Sequence, residues 1–282
     1  MNSRMNNFNS PAEIIINMIT AAKAKASMPL PKMIILGFIA GMFIALGGCA
    51  ANVAAHAVSD AGVAKLISGA IFPVGLMMIV VIGGELFTGN CLMITGIMHG
   101  EVKWYNAVKN LLVVYFSNML GGVFVALCAF YMGQFDMSGG LLGAYTIKIA
   151  VAKINLGFGE ALVSGIFCNI LVCAAVLMAA GARDIGGKIL GIFFPIFAFV
   201  ISGFEHCVAN MYYIPAGIAA ASNSEYLAKA ADAYGIFAES AANLGIGAFF
   251  SNLLPVTIGN IIGGAVFMGV LYYIAHIKLG SR

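Results

Sequence analysis

The chain has 282 residues, 62% of them hydrophobic and only 9% charged, with a formal net charge of +3. A soluble domain carries about a quarter charged residues, so this composition belongs in lipid and gives no reason to invoke nucleic acid. The mean hydropathy of +1.00 agrees.

In chain order, Ser10-Pro11-Ala12-Glu13 reads first, as a helix start. Ser10 can cap, Pro11 suits the first turn and Glu13 can complete a capping box. The helix behind it carries Ile14, Ile15, Met18 and Ile19, then Lys23 and Lys25, before Pro29 and Pro31 end it. Residues 1–32 are thus expected to form a cytoplasmic N-terminal segment. Its amphipathic helix would lie on the membrane surface or pack against the body of the protein. The opening stretch lacks a compact apolar core with a small-residue cleavage site, so no cleavable leader is expected.

Six apolar spans fill a transmembrane domain over 33–280, at 33–58, 64–98, 105–132, 158–182, 188–214 and 253–277. Each reaches the roughly 20 residues that cross a bilayer. The second is interrupted by Gly84-Glu85-Leu86-Phe87-Thr88-Gly89-Asn90, the fifth by Gly203-Phe204-Glu205-His206-Cys207-Val208-Ala209-Asn210. No water satisfies freed backbone groups inside lipid, so broken helices persist only beside a protein-lined cavity. In the third span Ser117-Asn118-Met119-Leu120-Gly121-Gly122 matches Gly259-Asn260-Ile261-Ile262-Gly263-Gly264 of the sixth. Spans one to three and four to six therefore read as copies, about 33–134 and 157–278. Three spans is an odd number, so the second copy enters the membrane from the opposite side. The expected fold is an all-α bundle of two inverted three-helix repeats, with a small solute handled near mid-membrane.

With both ends cytoplasmic, the inner segments hold Arg4, Lys23, Lys25, Lys32, Lys103, Lys109, Arg183, Lys188, Lys278 and Arg282. The outer segments hold only Lys65, Lys148, Lys153 and Lys229. This asymmetry obeys the positive-inside rule, and a multi-pass protein of the inner (plasma) membrane is expected. Cys49, Cys91, Cys128, Cys168, Cys173 and Cys207 fall within or beside spans without a paired metal motif. They read as apolar core thiols, and neither metal nor cofactor is expected.

Charged side chains within spans usually face the bundle interior. Glu85 and Glu205 hold equivalent places in the two breaks and are read as support, their carboxylates accepting from freed amides, with Asn90 and Asn210 beside them. His206 is the one histidine within a break, and an unperturbed imidazole titrates near pH ~6.5. Asn169, mid-span among apolar residues, is the partner expected to fix its tautomer. Half-helix starts carry a positive dipole end, and Thr88, Gly89 and Asn90 add a hydroxyl and amides, which leans toward an anion as solute.

Phe204-Glu205-His206-Cys207-Val208-Ala209-Asn210-Met211 with Ile214-Pro215-Ala216-Gly217 resembles the second-break signature of the formate/nitrite transporter family. Leu254 to Gly264 is similar to its last span, and Glu85-Leu86-Phe87-Thr88-Gly89 to its first-break loop. The resemblance implies an aquaporin-like protomer in a homopentamer, with one pore per subunit for formate, hydrosulfide or nitrite, and no enzyme activity. It also implies that Lys153 draws anions in, that Asn169 and His206 form a central polar pair, and that Thr88 lies on a gating loop. Phe72, Leu76 and Phe199 would form the outer constriction, with Leu86 and Phe87 near the inner one. Cys207 departs from the serine common after the signature histidine, which keeps hydrosulfide in play beside formate.

Passage of a bare anion through an apolar ring is costly. One expected mechanism has His206 donate a proton so that the neutral acid passes; the rival keeps His206 neutral and passes an ionic current. An aquaporin-like channel for neutral solutes and a strictly proton-coupled symporter are the alternative readings.

Overall fold

The computed structural model describes residues 8–280, so Arg4 and Arg282, two charges assigned above to the inner segments, lie outside the described residues. Helix α1 (Pro11–Ala26) opens with the capping box, the Glu13 carboxylate accepting from the Ser10 amide at 2.7 Å. Its face of Ile15, Ile19 and Ala22 is buried against the helical body.

The first repeat comprises α2 (Leu30–Ala55), a broken span and α7 (Trp104–Tyr131). The broken span runs as α3 (Ala61–Ile71), α4 (Val74–Ile82), α5 (Phe87–Asn90) and α6 (Ile94–Met98). After α8 (Met137–Ile154), the second repeat comprises α9 (Phe158–Gly181), a span split into α10 (Ile185–Ser202) and α11 (Cys207–Ala221), then α12 (Ser224–Tyr234), α13 (Ala238–Ala241) and α14 (Ile246–Ile261). The last span continues beyond α14 through π-helical turns as far as Lys278. Six spans are long and apolar enough to cross a bilayer, and the described residues contain no β-strand.

Both breaks begin at a glycine with positive φ, Gly83 at 99° and Gly203 at 72°, a conformation that a Cβ would strain. Within each repeat the flanking spans meet backbone to backbone. A Cβ on Gly121 of α7 would strike the Phe38 carbonyl of α2, and one on Gly259 of α14 the Leu162 carbonyl of α9. These contacts clamp each broken span between two straight ones.

Two elements go beyond six spans. Helices α8 and α12 pack on each other and α8 on α11, with the Tyr226 hydroxyl donating to Asp136. Helix α8 winds regularly only after Ser138, Gly139 and Gly140, all at positive φ. It delivers Lys153 to the second break. The sixth span also starts earlier than expected, at Ile246.

Candidate functional site

The two breaks are held by two matching sets of side chains. At the first, Glu85 Oε1 pairs with Lys25 Nζ at 2.6 Å, while Asn90 Nδ2 donates to Glu85 Oε2 at 2.7 Å and to Asn110 Oδ1 at 2.8 Å. Asn110 in turn donates to the Lys25 carbonyl at 3.3 Å. At the second, Glu205 Oε1 pairs with Lys153 Nζ at 2.8 Å, and Asn210 Nδ2 donates to Glu205 Oε2 at 2.6 Å and to Asn252 Oδ1 at 2.8 Å. Asn252 closes that ring on the Lys153 carbonyl at 2.8 Å. Glu85, Asn90, Glu205 and Asn210, named above as break support, all lie in these two rings.

The route of that support differs from the sequence expectation, because the carboxylates bond to side chains. One freed amide at each break goes to an asparagine of a neighbouring span. Asn118 Oδ1 accepts from the Phe87 amide at 2.9 Å, and its Nδ2 donates to the carbonyls of Gly37 and Glu85. Asn260 does the same for the Cys207 amide at 2.9 Å and the carbonyls of Gly165 and Glu205. An asparagine both donates and accepts, which a carboxylate cannot, so one such side chain satisfies both kinds of group in a broken chain. Lys25, Asn110 and Asn252 carry no sequence motif; the signal that finds them is the repeat register, with Lys25 preceding span one as Lys153 precedes span four.

His206 is the N-cap of α11. Its Nδ1 accepts from the Ala209 amide at 3.0 Å, and its Nε2 lies 3.0 Å from Thr88 Oγ1. A ring nitrogen that accepts carries no proton, so the neutral ring holds its hydrogen on Nε2 and donates to Thr88. The two half-helices therefore meet through one hydrogen bond. Asn169 makes no hydrogen bond to the ring: its Nδ2 donates to the Thr88 carbonyl at 3.2 Å and the Asn260 carbonyl at 2.6 Å. The tautomer is set by Ala209 and Thr88, and Asn169 anchors the loop that carries Thr88.

Phe72 and Phe199 meet edge to face at 5.4 Å, and Phe199 stacks on His206 at 6.0 Å. With Ile44, Leu76, Leu86, Val172 and Ile196 they enclose a chamber of about 10 Å³, room for no more than a single water. His206 is its one polar wall. Ile44, Val172 and Ile196 carry no signal that separates them from ordinary core. Phe87 lines neither this chamber nor the cavity below, and packs edge to face on Tyr115 at 4.9 Å.

Leu76 and Leu86 also form the floor between the chamber and a cavity of about 440 Å³ on the α1 side. That cavity is rimmed by Lys25, Lys32 and Lys188 together with Glu85 and Asn90. On the opposite side Lys153 is 14% exposed and lies 5.3 Å over the Tyr213 ring. Two basic mouths thus face one closed apolar chamber with one hydrogen-bond donor. Among the described residues no set of side chains could hold a metal ion.

These features define a multi-pass membrane protein of inverted-repeat architecture whose broken helices converge on a pore-like constriction. A family model described as formate/nitrite transporter matches residues 12–274, and the chain belongs to that family. It is 39% identical to a probable formate transporter of Methanothermobacter thermautotrophicus, over 96% of this chain and 98% of the relative. To a formate channel of Bacillus thuringiensis it is 36% identical, over 98% of both. A solved structure described as a pentameric formate channel with formate bound superimposes with a TM-score of 0.78 at 34% identity, over 88% of this chain and 98% of that one.

Proposed function

We propose that the protein is a pore for a small monovalent anion of the formate class, a homopentamer in the inner (plasma) membrane with both termini cytoplasmic, and not an enzyme. The observation that carries this reading is the chamber: small, apolar, and with the His206 ring as its one polar wall. The chamber admits nothing larger than a water as it stands, so passage of formate, nitrite or hydrosulfide requires its apolar walls to part. The relatives named as formate transporters favour formate among them.

Flux through His206 is pH-dependent in this reading. Adding a proton requires Nδ1, which already accepts from Ala209, so acid removes the α11 cap as it charges the ring. The imidazolium can then pass its Nε2 proton to the anion. The neutral acid crosses Phe72 and Phe199 on one side or Leu76 and Leu86 on the other, at far less desolvation cost than the bare ion. The positive ends of the half-helices favour an anion at the approach.

Purified protein in planar bilayers, offered the three anions at two pH values alongside tracer flux in liposomes, tests the reading. Selective current means that the charged form crosses. Tracer flux without current means electroneutral, proton-coupled passage, the symporter alternative. Passage of glycerol or water without any of the anions would overturn the proposal in favour of a neutral-solute channel.

A further inference from the structure

The lysines of the two rings offer little net charge to a solute. Lys153 is neutralised by Glu205 at 2.8 Å, and Lys25 by Glu85 at 2.6 Å. In the orientation proposed above, the outer face is also hostile to anions. Besides Glu205 it carries Asp60, Asp136, Glu160, Glu225, Asp232 and Glu239, against four lysines. Lys148 lies 4.5 Å over the Tyr234 ring, and Lys229 is on the peripheral α12.

Lys65 is placed differently. It stands in the second turn of α3, exposed, and no hydrogen bond or ion pair engages its ammonium among the described residues. Its Nζ lies 3.3 Å from where a Cβ on Gly203 would sit, over the mouth of the second break. Lys153 and Glu205 both act on its charge there, and the two are paired with each other. The repeat supplies a counterpart at the other mouth. Lys188, in the first turn of α10, lines the inner cavity, with its Nζ donating to the Ala179 carbonyl at 3.1 Å and its charge uncancelled.

We propose that Lys65 at the outer mouth and Lys188 at the inner one are the anion-capture charges, while Lys153 and Lys25 hold the breaks together. This rests on the transport reading and locates its first step.

Initial formate uptake into right-side-out vesicles tests it. Lys65→Gln raises the half-saturating concentration about 3- to 10-fold, a modest steering effect. The difference shrinks in 1 M salt, where the screening length is about 3 Å. Lys65→Arg, which keeps the charge, stays at the wild-type value, and Lys188→Gln does for efflux what Lys65→Gln does for uptake. Equal half-saturation for wild type and Lys65→Gln at low salt overturns the inference, as does an equal rise in Lys65→Arg. Should Lys65→Gln fail to assemble, Lys65→Cys alkylated with a cationic or a neutral reagent makes the same comparison, and equal recovery by both adducts overturns it. Wild-type protein that moves none of the three anions overturns the transport reading itself, a different result from an insensitive Lys65.

Discussion

His206 performs two tasks with two nitrogens. Nδ1 holds the first turn of α11, and Nε2 presents the single donor in the chamber and ties Thr88 to the opposite half-helix. The tasks separate by substitution. Asparagine is among the best N-caps, so His206→Asn keeps the helix start and shifts stability by less than about 1 kcal/mol. It does not titrate, so the pH dependence of anion flux that the histidine confers is lost. His206→Phe also abolishes titration but strands the Ala209 amide, at a cost of about 0.5–2 kcal/mol. Flux against pH together with thermal unfolding of both variants resolves the two roles. A wild-type pH profile in His206→Asn would remove the histidine from the gating mechanism.

At the scale of elements, a broken helix in lipid survives because its orphaned groups are given partners, and Asn118 and Asn260 each supply three hydrogen bonds for that purpose. Replacing either with Leu leaves one amide and two carbonyls buried without those partners. About 2–4 kcal/mol of destabilisation is expected, read as a lower unfolding temperature in detergent. The ion pairs should rank differently. Lys153 is 14% exposed and Lys25 26%, so Glu205→Gln, which strands the drier lysine, lowers the unfolding temperature more than Glu85→Gln. Equal losses would show that water reaches both rings alike. The breaks themselves were legible in the sequence, because polar residues interrupting an apolar span have few explanations. The asparagines were legible as a repeated pattern, though their task was not: hydrogen bonding across 31 to 95 positions leaves no local trace. Helix α8 escaped because its Lys148 and Lys153, glycines and left-handed opening turn resemble a connecting loop.

For the whole molecule, inverted symmetry explains why one chain has two basic mouths: each repeat builds a break, a Lys–Glu pair and an asparagine clamp, facing opposite ways. The symmetry is broken where Leu86 stands at the place that His206 holds, so the chamber receives one donor instead of two. It is broken again at the lysines. Lys153 arrives on α8, which is packed on α11 and α12, whereas Lys25 arrives on α1, which docks through Ile15, Ile19 and Ala22. The first ring therefore depends on a helix that local unfolding can release. Ile15 is fully buried, so Ile15→Asp sets a carboxylate into an apolar seat and should undock α1 while the six spans remain folded. Trypsin reads the outcome directly. Lys23 and Lys25 are shielded from cleavage while α1 is docked and helical, and cutting there should accelerate about tenfold or more in the variant, following the population of the open form. Unchanged cleavage would mean that α1 is held by its polar contacts, Lys25 to Glu85 and Lys23 to Glu101 at 2.8 Å, more than by its apolar face. Faster cleavage with an unaltered unfolding temperature would show that the mouth on the α1 side opens independently of the pore body, which makes α1 the element that can release the first break.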